Sequence, residues 1–306
     1  MNCMSPKLLI TGGTGFVGQN VVRFLADKKI NVDIYNLSRT PLELDGVKNI
    51  ECDASNFNFS DLGNIEFDYI INLLALSHDK DCQDFTLAQE ININFTRKLL
   101  EYSLTQKRLK KIIHLSSAII YDNTNRSPVS EDSKLHLNYS TYSFTKGISE
   151  YYVNFYREKF KLPIIIFRLS NIYGPYQKIK NSSFLIPSKI SQALDSGKIE
   201  VFDLTPRRDW IYSVDAAAAI VLALDADYSG ILNLASGIGV SVEEIISEIA
   251  AQLSVKYFSL NKNTSGPLNF YCDIEKTKKV LSWQPTTNLK EGIYKTVEYF
   301  KKIKNN

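Results

Sequence analysis

Short apolar runs alternate along the chain with longer amphipathic stretches. Runs such as Lys7–Thr11 are apolar on both faces, which is typical of strands in a parallel sheet that helices cover on both sides. The predicted strands are Lys7–Thr11, Val32–Leu37, Lys48–Cys52, Tyr69–Leu73, Lys111–Ser116 and Pro163–Leu169. The predicted helices are Phe16–Asp27, Thr86–Ser103, Thr141–Phe160 and Leu185–Ser196. This alternation indicates βαβ units and an α/β fold with a Rossmann-type, doubly wound parallel sheet.

The pattern changes after Tyr173-Gly174-Pro175, where a polar loop rich in Lys, Asn and Ser begins. We interpret this change as the start of a smaller C-terminal α/β domain. Residues 1–172 are expected to form the domain with the large sheet, and residues 206–235 to return to it. Residues 173–205 and 236–306 are expected to form the smaller domain.

Glycines at spacings of three follow the first predicted strand, at Gly12, Gly15 and Gly18. Glycine permits a tight turn and lets the backbone approach a pyrophosphate, while free N–H groups at the start of the next helix face the anion. A plain glycine-rich turn is the alternative. Because a predicted strand precedes the glycines and a predicted helix follows them, the segment indicates a dinucleotide-binding site.

The end of the second predicted strand bears on which dinucleotide is bound, because an acidic side chain there accepts hydrogen bonds from the adenosine ribose of NAD. Tyr35 takes the place expected for this acid, and Asp33 lies two residues earlier on the same strand face, farther from the tip. A 2′-phosphate needs a cation instead, which Arg39 could supply as a bidentate donor. NADP(H) is therefore favoured as the cofactor, with NAD(H) and a merely solvated Arg39 as the alternative.

Tyr142 and Lys146 stand four residues apart at the start of a predicted helix, so their side chains share one face. A phenol has a pKa of about 10, which a neighbouring ammonium and a cationic nicotinamide would lower enough for proton transfer. Ser117 follows a predicted strand, at the edge where doubly wound sheets bind ligands. These residues predict a site that acts on a carbinol or ketone oxygen, with a purely structural Tyr142 as the alternative.

Composition and charge argue against several classes of function. Hydrophobic residues make up 44% and charged residues 23% of the chain, and its net charge of +3 is too small to indicate nucleic acid or a membrane surface. No apolar run reaches the roughly 20 residues of a membrane span, and nothing resembles a signal peptide. The cysteines show no metal-binding spacing; they are Cys3, Cys52, Cys82 and Cys272. We expect a cytoplasmic protein without a metal.

With these features the chain resembles an extended short-chain dehydrogenase/reductase of the NAD(P)-dependent nucleotide-sugar epimerase/dehydratase family. The resemblance runs from about Lys7 to the C-terminal helix, and its short motifs are specific only when taken together. They are T-G-G-T-G-F-V-G at 11–18, Asp53, N-L-L-A at 72–75, Asn92 with Thr96, L-S-S-A-I-I-Y at 115–121, Y-S-F-T-K at 142–146, R-L-S-N-I-Y-G-P at 168–175, R-D-W-I-Y at 208–212, and Asp273 with S-W-Q-P at 282–285.

The resemblance implies a role for each matching residue. Ser117, Tyr142 and Lys146 would be catalytic. Asn171 and Arg208 would hold the diphosphate of the substrate, for which an amide and a guanidinium are suitable donors. The implied cofactor-binding residues are Gly12, Thr14, Gly15, Phe16, Val17, Gly18, Arg39, Asp53 at the adenine, Ala54, Leu74, Ala75 at the ribose, Tyr142 and Lys146.

Alternatives to these roles and departures from the family pattern also bear on function. Arg208 could instead form an ion pair with Asp209 or Asp215. Family dehydratases carry Asp-Glu directly after the catalytic Ser or Thr, whereas this chain has Ala118-Ile119, which cannot move a proton. Dehydration is therefore not expected.

NADPH-dependent reduction of a 4-keto-sugar nucleotide is the favoured reaction. A 4-epimerase that keeps NAD bound would use the same residues, and a non-catalytic dinucleotide sensor is a third hypothesis. The expected partner is a small nucleotide sugar, with no nucleic acid and no membrane. The helix after Tyr142 is rich in aromatic residues, and in the family this helix commonly joins two subunits, so the resemblance also implies a homodimer.

Overall fold

The computed structural model describes residues 5–122, 124, 126–179, 182–262 and 266–305; Cys3 lies outside them. The strands are β1 (Lys7–Thr11), β2 (Asp33–Ser38), β3 (Val47–Glu51), β4 (Tyr69–Asn72), β5 (Lys111–Ser117), β6 (Ile164–Leu169), β7 (Asn171–Tyr173), β8 (Lys198–Val201), β9 (Arg207–Tyr212), β10 (Gly230–Leu234), β11 (Gly239–Ser241), β12 (Lys256–Ser259) and β13 (Asn269–Phe270). The helices are α1 (Phe16–Asp27), α2 (Phe85–Gln89), α3 (Phe95–Ser103), α4 (Thr141–Phe160), α5 (Leu185–Ser196), α6 (Ser213–Leu222), α7 (Val242–Leu253), α8 (Glu275–Leu281) and α9 (Leu289–Asn305). Short 3-10 turns lie at Phe59–Leu62 and Ala118–Ile120, and a π-helical turn at Glu90–Asn94 joins α2 to α3.

Seven strands form one parallel sheet in the order β3-β2-β1-β4-β5-β6-β10. This order confirms the predicted Rossmann-type fold. The strand order reverses between the neighbours β1 and β4, and ligands of such sheets bind in the crevice at the carboxyl ends of the strands on either side of a reversal. The edge strand β10 brings a late segment of the chain back to this sheet.

Helices cover both faces of the large sheet. One face packs against α1 and α6, which bury residues such as Val22 and Ile220. The other packs against α3 and α4, which bury Leu99 and Val153. Because consecutive strand residues point to opposite faces, a strand between two helical layers must be apolar throughout.

The elements after β6 include a second, smaller group with its own core. In it β9 pairs with β7, β11 and β13, while β8 pairs with β12. Helices α5, α7 and α9 bury a shared apolar cluster that includes Ile190, Ile245 and Phe300. The boundaries given above for two domains stay a prediction.

Two searches of the described residues bear on the expected partners. None of the helices in that part of the chain is both long and apolar enough to cross a membrane. No group of three or more His, Cys, Asp or Glu side chains in it is arranged to hold a metal ion.

Candidate active site

In the glycine turn after β1, the absence of side chains on the glycines lets other groups approach the backbone closely. Gly12 has a φ of +76°, which favours glycine, and a Cβ there would lie 3.1 Å from the main chain of Leu74. A Cβ on Gly18 would lie 2.3 Å from the Gly12 carbonyl oxygen, so only glycine lets α1 pack this closely on the turn. The N-cap residue of α1 is Gly15, which has no side chain to cap the helix. The turn therefore fits a pyrophosphate that accepts hydrogen bonds from the N–H groups at the start of α1.

The end of β2 differs from the expectation for Tyr35. Ser38, not Tyr35, is the last residue of the strand. Tyr35 lies three residues earlier, about 10 Å back along the strand, with its ring 5.3 Å from that of Phe67 and its hydroxyl 3.3 Å from the Lys48 ammonium. Lys48 also forms an ion pair with Asp33 at 3.1 Å. The carboxyl end of β2 thus carries a serine.

Arg39 and Asp53 lie close together beyond the ends of β2 and β3. Both are exposed. The Asp53 carboxylate accepts hydrogen bonds from the backbone N–H and the hydroxyl of Ser55 at 3.0 and 2.8 Å, which lower the pKa of the carboxyl group, and the Arg39 guanidinium lowers it further. Ala54 beside them is buried in the sheet core. A cation and an acid therefore stand where an adenosine ribose and base would be expected.

The segment after β4 forms the opposite wall of the crevice. The Leu74 backbone N–H donates to the Thr11 hydroxyl at 3.3 Å, which fixes this segment against the end of β1. Asn92, in the π-helical turn, accepts from the Leu76 N–H at 2.8 Å and donates to the Thr145 hydroxyl at 3.0 Å. Ala75 therefore lies between two residues with fixed main chains. Leu74 is bonded to the end of β1, and Leu76 is bonded through Asn92 to α4.

Helix α4 begins with a reciprocal cap that places Tyr142 in its first turn. The Ser143 N–H donates to the Ser140 hydroxyl at 3.2 Å, and the Ser140 N–H donates to the Ser143 hydroxyl at 3.0 Å. Ser143 is thus part of the cap. Ser117, the last residue of β5, lies near the Tyr142 phenol. Burial raises the pKa of Tyr142 to about 12, and the interaction with the Ser117 hydroxyl opposes this rise.

Lys146 lies one helical turn beyond Tyr142 and is buried. Its ammonium donates to the Leu115 carbonyl at 2.5 Å. Burial lowers the pKa of Lys146 to about 8, and the Glu150 carboxylate opposes this decrease. The structure therefore brings the three predicted catalytic residues to the carboxyl edge of the sheet, beside the glycine turn.

Asn171 and Arg208 lie on β7 and β9, which pair in the small sheet with Asn171 opposite Trp210. Asn171 donates from its amide to the Asp209 carbonyl at 2.9 Å, and Arg208 donates to the Arg207 carbonyl at 2.9 Å. Within the described residues Arg208 forms no ion pair, so the alternative pairing with Asp209 or Asp215 is not observed. Burial lowers the pKa of its guanidinium. A half-buried guanidinium without a carboxylate partner favours an anionic ligand.

The Asp209 carboxylate fixes the segment of β9 that carries Arg208. Its buried carboxylate accepts hydrogen bonds from the Ser236 N–H and hydroxyl, both at 2.7 Å, from the Gly237 N–H at 3.0 Å and from the Cys272 N–H at 3.2 Å. These donors account for why Asp209 is not available to Arg208.

Sequence reasoning missed two further features of the site. The buried His114 imidazole lies near Lys146; burial holds its pKa well below the ordinary value, and its Nε2 has no hydrogen-bond partner among the described residues. The His78 side chain lies with Nε2 2.8 Å from the Ser183 hydroxyl and its ring 4.5 Å from that of Phe184. No sequence spacing links these partners.

Comparison with known proteins agrees with this geometry. The chain belongs to the NAD dependent epimerase/dehydratase family, which it matches over residues 8–235. It is 27% identical over 308 residues to a putative UDP-glucose 4-epimerase of Methanocaldococcus jannaschii, covering 96% of this chain and 98% of that protein. It is 24% identical over 323 residues to a dTDP-4-dehydro-6-deoxyglucose reductase of Escherichia coli, covering 97% and 98%.

A solved structure is similar over almost the whole length. The UDP-glucuronic acid 4-epimerase from Bacillus cereus, in complex with UDP-glucuronic acid and NAD, gives a TM-score of 0.86 at 26% identity and covers 97% of this chain and 99% of that one. The chain is therefore an enzyme of the extended short-chain dehydrogenase/reductase family, which is NAD(P)-dependent and includes nucleotide-sugar epimerases, dehydratases and reductases. The predicted family is confirmed.

Proposed function

We propose that the protein is an NADPH-dependent reductase of a 4-keto-sugar nucleotide. The observation that carries this proposal is the arrangement of Ser117 at the end of β5, Tyr142 in the first turn of α4 and the buried Lys146 ammonium one turn further on, at the carboxyl edge of the sheet. A phenol that holds its proton can donate it to the oxygen of a ketone as that ketone is reduced. An epimerase would use the same phenol first as a base and then as an acid, so the preference for a reductase rests on the cofactor and not on Tyr142.

The cofactor would lie along the glycine turn and the crevice. The proposed binding residues are Gly12, Thr14, Gly15, Phe16, Val17, Gly18, Arg39, Asp53, Ala54, Leu74, Ala75, Tyr142 and Lys146. A bound dihydronicotinamide supplies the hydride that converts the keto carbon to a carbinol. NADP(H) is favoured because β2 ends in Ser38 rather than an acid and the next residue, Arg39, is an exposed cation.

The protein's own residues would bind the substrate, orient its keto group and protonate the keto oxygen. Ser117 would donate its hydroxyl proton as a hydrogen bond to the keto oxygen and hold it near Tyr142. Tyr142 would transfer the phenolic proton to that oxygen as the carbonyl becomes an alcohol. The Lys146 ammonium would stabilise the phenolate left on Tyr142 and hold a ribose hydroxyl, both of which need its positive charge. Water would then restore the proton to the phenol.

The substrate would be held by its diphosphate. Asn171 and Arg208 would present, from two paired strands, an amide and a guanidinium that forms no ion pair within the part of the chain that the structure describes. Ile119, which follows Ser117 in a 3-10 turn, is exposed and offers no acid or base to this pocket. Dehydration is therefore excluded from the proposal. Residues 1–172 with 206–235 would bind the cofactor and also supply Asn171 and Arg208 to the substrate, and residues 173–205 with 236–306 would bind the rest of the nucleotide sugar.

A 4-epimerase is the second candidate. It is supported by the similarity to the epimerases of Methanocaldococcus jannaschii and Bacillus cereus, the second of which was solved with NAD. The same Ser117, Tyr142 and Lys146 would serve both directions of hydride transfer. An epimerase regenerates its cofactor in place, whereas a reductase must exchange it in every turnover.

The experiment measures cofactor retention and turnover on the purified protein. Native mass spectrometry detects retained nicotinamide cofactor, and the decrease in absorbance of NADPH follows turnover with a panel of 4-keto-sugar nucleotides. The reductase is expected to purify without stoichiometric NAD, and Tyr142→Phe is expected to lower turnover by about 100-fold or more. Stoichiometric NAD with interconversion of C4 epimers would instead establish the epimerase.

Cofactor preference is tested by a separate variant. Arg39→Ala is expected to raise KM for NADPH by about 10- to 100-fold and leave KM for NADH unchanged, because one charge-assisted contact to the 2′-phosphate is lost. Equal effects on the two cofactors would contradict the assignment of Arg39. NADPH binding without turnover on any substrate of the panel, in the wild type as in Tyr142→Phe, would favour the sensor.

A further inference from the structure

A buried ion pair lies one helical turn beyond Lys146. The Arg168 guanidinium donates through Nε and Nη2 to the Glu150 carboxylate, at 3.1 and 2.7 Å to Oε1 and 3.2 Å to Oε2. The side chains of Arg168 and Glu150 are only 4% and 6% exposed. Desolvation cancels much of the attraction in such a pair, and apolar residues of the same volume often stabilise a core as well. Stability alone is therefore a weak reason for the pair to be here.

Glu150 touches both elements that carry the catalytic residues. Oε2 accepts a hydrogen bond from the Ser116 hydroxyl at 2.5 Å, and Ser116 directly precedes Ser117 at the end of β5. Glu150 itself follows Lys146 by four residues on α4, so the two side chains share one helix face. A single carboxylate thus joins the strand of Ser117 to the helix of Tyr142 and Lys146.

Arg168 ties this carboxylate to the rest of the sheet. Arg168 lies on β6, next to β5, and its Nη1 donates to the Glu131 carbonyl at 2.7 Å. Its guanidinium also lies 4.9 Å from the centre of the Tyr121 ring. The Tyr121 hydroxyl in turn donates to Asn233 on β10 at 2.6 Å. The position of Glu150 is therefore set by three neighbouring strands rather than by its own helix.

We propose that Glu150 is a positioning residue that sets the separation between Ser117 on β5 and Tyr142 with Lys146 on α4. The proposal rests on the proposed role of these three residues in hydride-transfer chemistry. Glu150 also places a negative charge beside the Lys146 ammonium, opposing the effect of burial. The other titratable groups near Lys146 are His114 on β5, held neutral by burial, and Cys82, whose thiol has a pKa raised to about 11.

The test uses Glu150→Gln, which keeps the volume and removes the charge, and measures two quantities. The first is the pH dependence of NAD(P) binding, followed by protein fluorescence. The second is kcat and KM for the keto-sugar nucleotide. We expect the loss of binding at alkaline pH to move down by about one pH unit, since Lys146 loses its neighbouring anion, and kcat to fall by about 10- to 100-fold with KM within about twofold.

Ser116→Ala removes the hydrogen bond between β5 and Glu150 but keeps the charge of Glu150 and its pair with Arg168. It therefore tests the geometry separately from the charge. It is expected to lower kcat by about 3- to 10-fold and leave the alkaline limit of binding in place. Glu158→Gln is the matched control, because Glu158 lies two turns further along α4 in an exposed pair with Arg157. It should change neither quantity. If Glu150→Gln fails to fold, Ser116→Ala alone decides, and unchanged kcat in that variant overturns the proposal.

A folded Glu150→Gln protein with unchanged kcat and an unchanged pH limit would also overturn it, leaving the pair a purely structural feature. The fluorescence assay measures cofactor binding directly and does not depend on turnover. Lack of turnover on every keto-sugar nucleotide would therefore refute the proposed reductase, while the pH limit of binding would still test Glu150.

Discussion

Gly18→Ala is the sharpest test of the cofactor site. The added Cβ would lie 2.3 Å from the Gly12 carbonyl oxygen and 2.6 Å from the Gly13 Cα, and both are backbone atoms that cannot rotate away. Ordinary contact begins near 3.4 Å, so the turn or the helix must shift by about 1 Å. Overpacking of this kind costs about 1–3 kcal/mol of stability. That loss is small enough for the variant to stay folded.

The functional loss is expected to be larger than the loss of stability suggests. A displacement of about 1 Å in a binding geometry costs on the order of 100-fold, equivalent to about 2.7 kcal/mol. Titration calorimetry with NADPH and NAD measures the change in Kd, and circular dichroism measures the free energy of unfolding. Gly63→Ala is the control for a glycine substitution outside the turn, since a Cβ at Gly63 would meet open space; unlike Gly18, Gly63 has a φ of +59°, so any loss of stability in this control comes from backbone strain and not from a clash. A folded Gly18→Ala protein that binds both cofactors with the wild-type Kd would refute the assignment of the turn.

Three further predictions concern charge, substrate and assembly. Burial lowers the pKa of Lys146 to about 8, so the ammonium is lost as pH rises through that value and turnover should fall above about pH 8. In Lys146→Arg the guanidinium stays charged, so any activity that this variant retains should lack the alkaline limit. Arg208→Gln should raise KM for the nucleotide sugar by about 10- to 100-fold with little change in kcat, whereas Arg207→Gln, which breaks an exposed pair with Glu244 and a bond to the Gly239 carbonyl, should not. Light scattering should show a homodimer that Tyr151→Glu, on the exposed face of α4, dissociates; a wild-type monomer at micromolar concentration would contradict this.

The large sheet could be predicted from sequence because its signals are local. Strands buried on both faces are apolar throughout, and α4 begins at Thr141 as predicted because Ser140 and Ser143 cap it within four residues. The small sheet could not be predicted. β11 and β13 have three and two residues, too few for a pattern, and each is a strand only because β9 lies beside it.

The site divides in the same way. The spacing of Tyr142 and Lys146 is local, so the sequence shows it. The partners of Glu150 are on β5 and β6, and only the fold brings these buried polar groups together. Tyr35 lies three residues before the end of β2 because the strand continues to Ser38, whose hydroxyl bonds to the Thr40 carbonyl, a detail that no hydrophobic pattern encodes.

The ring of donors around Asp209 has a consequence for the order of folding. Its partners at Ser236, Gly237 and Cys272 are made by the ribosome well after β9. Until Cys272 has emerged, the carboxylate of a nascent chain lacks one of its partners, and the strand that carries Arg208 is not locked. We expect pulse proteolysis of stalled chains to show the large parallel sheet protected earlier in synthesis than the small sheet that contains β9.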